Sequence, residues 1–230
     1  MKSIFKYFLA VIIIVLANCQ AQGQTHYKSH VFIGGKAGLS IDRIDISPSV
    51  PQNWLLASNG AVTFRYAEEK LFGLVAEFGW SQRGWKEDFE EVPLKYQRTL
   101  TYLTLPVMTQ IIFGVPRAKC FINLGPQISF MINEKISSNF NYNNLGSVES
   151  WPERKRQTAQ LGMPIHNKFD YGICGGLGGE FYITPKNSVT VEARYYFGLG
   201  NIFRARKIDV FSASRCTAIE VTLGYYFRIK

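Results

Sequence analysis

The chain predicts an all-β protein: an eight-stranded antiparallel up-and-down transmembrane β-barrel of the outer-membrane type. Three observations carry this. The stretch Cys216 to Lys230, CTAIEVTLGYYFRIK, alternates with period two, placing Ile219, Val221, Leu223, Tyr225 and Phe227 on one face and Ala218, Glu220, Thr222, Gly224 and Arg228 on the other. Seven earlier segments repeat that alternation. The connections between them alternate long and short, so all the short turns fall on one rim and all the long loops on the other, as in outer-membrane barrels.

The 230 residues are enough for one barrel domain. Lys2 and Lys6 precede an apolar run from Tyr7 to Ala17, which reads as a secretory signal peptide over residues 1–23 with cleavage near Ala21-Gln22-Gly23. The barrel domain then occupies 24–230. Leu16-Ala17-Asn18-Cys19 offers a rival reading as a lipoprotein site, in which Cys19 carries lipid. No later run approaches the ~18 apolar residues of a helical span.

Taken in order, the first strand is His30 to Ile41, followed by an exposed loop Asp42 to Leu55 with two prolines. The second, Leu56 to Tyr66, turns tightly through Ala67-Glu68-Glu69-Lys70 into the third, Leu71 to Arg83. A charged loop, Gly84 to Gln97, leads to the fourth, Arg98 to Phe113, where Pro106 cannot donate a ladder bond and predicts a bulge or bend. Gly114 to Lys119 turns into the fifth, Cys120 to Ile132. The segment Asn133 to Lys168 is long, rich in Asn and Ser, and of a length that is normally functional or mobile. The sixth strand, Phe169 to Ile183, turns at Thr184-Pro185-Lys186-Asn187 into the seventh, which ends at Leu199. The loop Gly200 to Arg215 precedes the eighth.

Period two does not say which face is inside, and a secreted lipocalin-like barrel with its apolar face inward shows the same alternation. Glycines on the small-and-charged parity (Gly34, Gly172, Gly176, Gly178) suit a narrow packed lumen. Aromatics on the apolar parity sit near strand ends, Tyr66, Phe72, Phe113, Phe181 and Phe227 at the short-turn rim and Trp80, Phe130, Tyr171 and Phe197 towards the loops, as interfacial girdles do. On that reading Lys36, Arg65, Glu77, Arg83, Glu180, Glu192, Arg194, Glu220 and Arg228 point into the lumen, where mixed acids and bases form a paired network.

The net charge of +9 becomes +7 once Lys2 and Lys6 leave with the signal. Charges scattered over alternating strands of an exported chain speak against nucleic acid and for lipid headgroups. Arg154, Lys155, Arg156, Arg204, Arg206 and Lys207 lie in the long loops, where they can meet lipopolysaccharide phosphates. Chemistry is otherwise thin. His26, His30 and His166 have no Ser and acid beside them, and Gly175 to Gly179 lies inside a strand without the context of a phosphate loop. Cys120, Cys174 and Cys216 form neither a disulfide framework nor a zinc site by spacing. No catalytic residue, cofactor or metal is expected.

The stretches Ile33-Gly34-Gly35-Lys36-Ala37-Gly38-Leu39-Ser40, Gly79-Trp80-Ser81-Gln82-Arg83-Gly84, Tyr102-Leu103-Thr104-Leu105-Pro106, Asn123-Leu124-Gly125-Pro126 and Arg194-Tyr195-Tyr196-Phe197-Gly198-Leu199 together resemble the PorT-like outer-membrane β-barrel family of Bacteroidetes. Thr104 departs from that family, which usually carries Glu there. The resemblance implies an outer-membrane location; the founding member's link to type IX secretion is a property of that member. The expected role is that of a monomeric, plugged, structural or interaction protein acting through its extracellular loops or periplasmic rim. An accessory subunit of a secretion or uptake complex and a narrow channel are the alternatives.

Overall fold

The computed structural model describes residues 29–67, 71–89, 92–148, 151 and 157–229. The predicted signal peptide and the centre of the Ala67 to Lys70 turn lie outside them. Nine strands are described: β1 (His30–Ser47), β2 (Gln52–Asn53), β3 (Leu55–Ala67), β4 (Phe72–Glu87), β5 (Tyr96–Val115), β6 (Ala118–Ser138), β7 (Phe169–Thr184), β8 (Asn187–Gly198) and β9 (Ala213–Arg228). Eight of them make the barrel, and β2 is a two-residue strand pairing with Lys86 and Glu87 in the first long loop.

Every neighbour is antiparallel, and each barrel strand pairs with the next in sequence, with β9 returning to β1. The order β4-β3-β1-β9-β8-β7-β6-β5 closes on itself through the β4–β5 pair. β1 and β9 meet along sixteen registered positions from Phe32↔Arg228 to Ser47↔Ala213. Closure leaves no unpaired edge, which is what a lipid environment demands of a sheet.

The apolar parity faces outward. Leu39, Val62, Phe78, Leu105, Leu124, Leu177 and Leu223 are all exposed, Leu223 at 63%. The opposite parity is buried and polar, including Arg65, Glu77, Arg83, Glu180, Glu192 and Arg194. This orientation excludes the lipocalin-like reading. Gly172 and Gly178 keep the lumen wall clear for large partners: a Cβ at Gly178 would stand 2.4 Å from Phe121 Cζ, and one at Gly172 2.8 Å from the Tyr196 ring.

The strands outrun their predicted ends on the long-loop side. β5 and β6 have 20 and 21 residues, about twice the ~9–11 that cross a bilayer. The outward face changes character partway up: Ile41 gives way to Arg43 and Asp45 on β1, Leu103 to Thr101 and Thr99 on β5, and Ile219 to Arg215 on β9. At the same height the inward face becomes apolar, with Ile44, Ile46, Trp85, Tyr96 and Leu100 buried. The expected exposed loop Asp42 to Leu55 is therefore largely wall and core: Asp42, Ile44, Ile46, Val50 and Leu55 are buried.

Pro106 makes no bulge. Its strand keeps register with β4, skipping only the Glu77 and Phe78 rungs, and the register shift lies between Thr101 and Tyr102 opposite Met131 to Asn133 of β6.

Candidate functional site: a lumenal column of paired cations

Four levels of charge are stacked along the lumen. Nearest the short turns, Arg65 of β3 places its guanidinium fork on Glu180 of β7, with Nη1 to Oε2 at 2.8 Å and Nη2 to Oε1 at 2.7 Å. The Ser188 hydroxyl donates to the same carboxylate. The guanidinium carbon lies 3.9 Å from the Phe32 ring centre and 4.5 Å from that of Tyr226, so the charge is held by a bidentate pair and two aromatic faces. Arg65 is 1% exposed.

The second level is a four-membered network. Arg194 of β8 donates to Glu77 of β4 at 2.8 and 2.9 Å and to Glu192 at 2.9 Å. Lys36 of β1 bridges Glu77 at 2.8 Å and Glu192 at 3.3 Å. The Asn123 amide donates to Glu192 at 2.8 Å, and the Gln110 amide donates to Asn123 at 3.0 Å. Two cations and two anions are satisfied together, the condition under which charge is tolerated inside a protein.

At the third level Arg83 of β4 donates to Asp170 at 3.2 Å and stacks 3.9 Å from the Tyr196 ring, whose hydroxyl also donates to Asp170 at 2.8 Å. Asp42, accepting from Ser40 at 2.7 Å, is buried here too. The fourth level closes the outer mouth. Arg98 donates to Glu134 at 2.6 Å, and its Nη1 donates to the carbonyls of Gln160 and Met163 at 3.2 and 2.7 Å. The carbonyls belong to the short helix Ala159–Gly162 and the residue after it. Gln160 donates to Glu87 at 3.1 Å, and the Tyr96 hydroxyl donates to the Leu161 carbonyl at 2.6 Å.

Around that helix the loops pack an aromatic core. Trp85 stands edge-on to Phe203, and Phe203 stacks on Phe211 at 5.5 Å. Phe89, Phe140 and Trp151 touch pairwise at 5.6 to 6.0 Å.

The outer membrane protein beta-barrel domain model matches residues 20–204, most of the chain, including every lumenal cation above. The chain belongs to that family. Solved outer-membrane proteins are similar to it in structure. The outer membrane protein OprG of Pseudomonas aeruginosa superposes with a TM-score of 0.53 at 11% identity, covering 88% of this chain and 97% of that one. The attachment invasion locus protein Ail of Yersinia pestis is similar at a TM-score of 0.42, 14% identity, and 85% and 98% coverage. The neisserial surface protein NspA is similar at 0.43, 10% identity, and 87% and 99% coverage. No curated protein matches the chain by sequence.

Lys36, Arg65, Glu77, Arg83, Glu180, Glu192 and Arg194 form ion pairs in this barrel. Two predicted members stand apart. Glu220 is buried on the lumen side but forms no ion pair among the described residues. Arg228 is half-buried at the periplasmic mouth and likewise pairs with none, because it lies below the last level that carries a carboxylate. Among the loop cations, Arg204, Arg206 and Lys207 are exposed, with Arg206 held 3.3 Å from Asp209. Arg154, Lys155 and Arg156 lie outside the described residues.

Asp170, Tyr196, Arg98, Glu134 and Gln160 also hold the column, beyond the predicted set. The signal for Asp170 and Tyr196 was present, since both share the lumen parity of Gly172 and Arg194. Cys120, Cys174 and Cys216 are free thiols. No group of three or more His, Cys, Asp or Glu among the described residues could hold a metal.

Proposed function

We propose that this outer-membrane barrel is a closed, non-enzymatic anchor that presents its extracellular loops to an outside partner. The observation that carries the reading is the unbroken succession of ion pairs from Arg65–Glu180 to Arg98–Glu134. An eight-stranded barrel is only wide enough for side chains to fill it; Arg65–Glu180, Arg194–Glu77 and Arg83–Asp170 reach across the lumen between strands that are not neighbours, and Arg98–Glu134 joins the paired strands β5 and β6. A folded chain in a planar bilayer is expected to give no stable single-channel current. Steady openings in the unmodified protein would replace this reading with the narrow-channel alternative.

The loops support the interaction role. The fourth long loop carries Arg204, Arg206 and Lys207 beside Ile208, which is 85% exposed. A basic tip fits the phosphates of lipopolysaccharide at the outer leaflet. Replacing Arg154, Lys155, Arg156, Arg204, Arg206 and Lys207 together by Gln should lower the lipid A retained on purification; unchanged retention would remove lipopolysaccharide as the loop partner. The PorT-like resemblance supports a second reading, an accessory subunit of a secretion or uptake complex. Crosslinking in whole cells followed by recovery of one stoichiometric partner would favour it.

A further inference from the structure

The lumen treats its cations differently at the inner end. Above Arg65 every lumenal cation has a carboxylate partner. Below it lies a cavity of about 840 Å³ opening at the short-turn rim, with Arg65, Arg117, Lys119 and Arg228 in its lining and no Asp or Glu among its described lining residues. Arg65 is already committed to Glu180. Arg117, Lys119 and Arg228 make no ion pair among the described residues, and the Lys119 ammonium rests 5.0 Å from the Tyr182 ring.

Arg117, Lys119 and Arg228 reach the cavity from two sides of the ring. Arg228 is on β9, Lys119 on β6 and Arg117 in the β5–β6 turn, while the committed Arg65 is on β3 across the ring. Backbone bonds fix two of these positions: the Tyr182 amide donates to the Arg117 carbonyl at 3.0 Å, and the Arg228 amide donates to the Lys186 carbonyl at 2.8 Å. The wall between them is apolar, from Phe32, Ile112, Pro116 and Pro185.

We propose that this inner cup binds an organic phosphate. Like charges gathered in one concavity, with no carboxylate partner among the described residues, raise the local potential and draw an anion. Arginine forks and a lysine point charge arriving from two sides of the ring suit the oxygens of a tetrahedral phosphate better than the two coplanar oxygens of a carboxylate. The cavity lies within the ~300–1,000 Å³ usual for small-molecule sites, so the phosphate carries an organic body that rests on Phe32, Ile112, Pro116 and Pro185. The cup opens at the level of the inner leaflet, so the phosphate can come from a phospholipid headgroup or from a soluble ester in the periplasm.

The test uses the full chain folded in an uncharged maltoside detergent. Glycerol 3-phosphate is titrated by phosphorus NMR line broadening, with succinate as competitor. In parallel, the protein is reconstituted in phosphatidylcholine nanodiscs containing phosphatidylglycerol, and the phosphatidylglycerol retained after re-extraction is counted by mass spectrometry. Saturable binding of either probe, weakened at least tenfold in Arg117→Gln/Lys119→Gln/Arg228→Gln, is the expected result. Binding of glycerol 3-phosphate assigns a soluble ester, and retention of phosphatidylglycerol alone assigns the lipid. The variant's heat-dependent gel shift shows that it still folds. Binding of neither probe, binding unchanged by the three substitutions, or equal competition by succinate would overturn the proposal. If the variant fails to fold, Arg117→Gln/Lys119→Gln alone is measured, and the same outcomes decide.

Discussion

The membrane-spanning half of the barrel and the half above it are built as opposites. In the lower half Leu39, Phe78 and Leu223 face outward and Lys36, Glu77 and Arg194 face inward. In the upper half Arg43, Asp45 and Arg215 face outward while Ile44, Trp85, Leu100 and Phe203 form the interior. The same strands run through both. What differs is the solvent: lipid accepts the apolar face and leaves the lumen to self-satisfied polar groups, whereas above the bilayer the hydrophobic effect again drives apolar side chains inward. The phase of the alternation inverts within about two residues of Ile41 on β1, and that inversion marks the outer edge of the lipid band.

Removing the centre of each half should break them in different ways. Arg194→Ala strands Glu77 and Glu192 in the lumen with only Lys36 between them, and losing one partner of a buried pair costs about 3–5 kcal/mol. Urea unfolding in vesicles should show it as a loss of the whole barrel. Trp85→Ala removes a fully buried indole from the upper core, a change usually worth about 3–5 kcal/mol. Its cost should fall on the loops, so protease added to intact cells should cut the Asn133 to Lys168 segment faster while the heat-dependent gel shift persists. Equal loss of the shift in both variants would mean that the two halves unfold as one unit.

The outward face sharpens the contrast. Leu223 sits midway between Phe227 at the inner rim and Ile219 near the outer edge of the band, so Leu223→Arg should destabilise by roughly 2–4 kcal/mol. Arg43→Leu, above the band, exchanges one exposed ion pair with Asp45 for an exposed apolar group and should change stability by less than about 1 kcal/mol. Comparable effects in urea titrations would place the edge of the band elsewhere. A smaller difference is expected inside the lumen. Arg65→Lys keeps the charge on Glu180 but loses the second hydrogen bond of the fork and the stacking on Phe32 and Tyr226, which should cost about 1–3 kcal/mol.

The alternation made the eight-strand barrel legible because each spanning strand has two chemically different faces, and the long and short connections set its polarity. Arg65, Glu77 and Arg194 could be placed in the lumen by parity. Their partners could not, because Arg194 meets Glu77 across 117 residues and Arg65 meets Glu180 across 115; that depends on the strand stagger accumulated around the ring. Height was equally hidden: Arg228 has the right parity and stands below the paired levels. The upper half reads as loop in the sequence because its apolar residues lie on the inverted phase. Ser40, Asp42, Ile44 and Ile46 keep one parity throughout, as do Arg83, Trp85 and Glu87, and following that parity past the change in polarity would have carried the strands upward.

The weakest contribution should come from the exposed loop between β8 and β9, where water competes for every contact. Asp209 accepts the Arg206 backbone amide at 2.8 Å and faces its guanidinium at 3.3 Å, and the backbone bond first, the cation second, holds its carboxyl below the ordinary aspartate value. A depressed folded-state value means that the ionised carboxylate stabilises the folded loop above the unfolded-state value, and that this support is lost as pH falls through the folded one. The ordered turn Arg206–Asp209 should therefore persist through neutral and mildly acidic pH and loosen only below the usual aspartate range. Carbon NMR of labelled Asp209 in detergent should show a titration displaced to lower pH, and Arg206→Gln should move it only part of the way back, because the backbone amide still donates. Full return to the ordinary value in that variant would assign the ordering to the guanidinium instead.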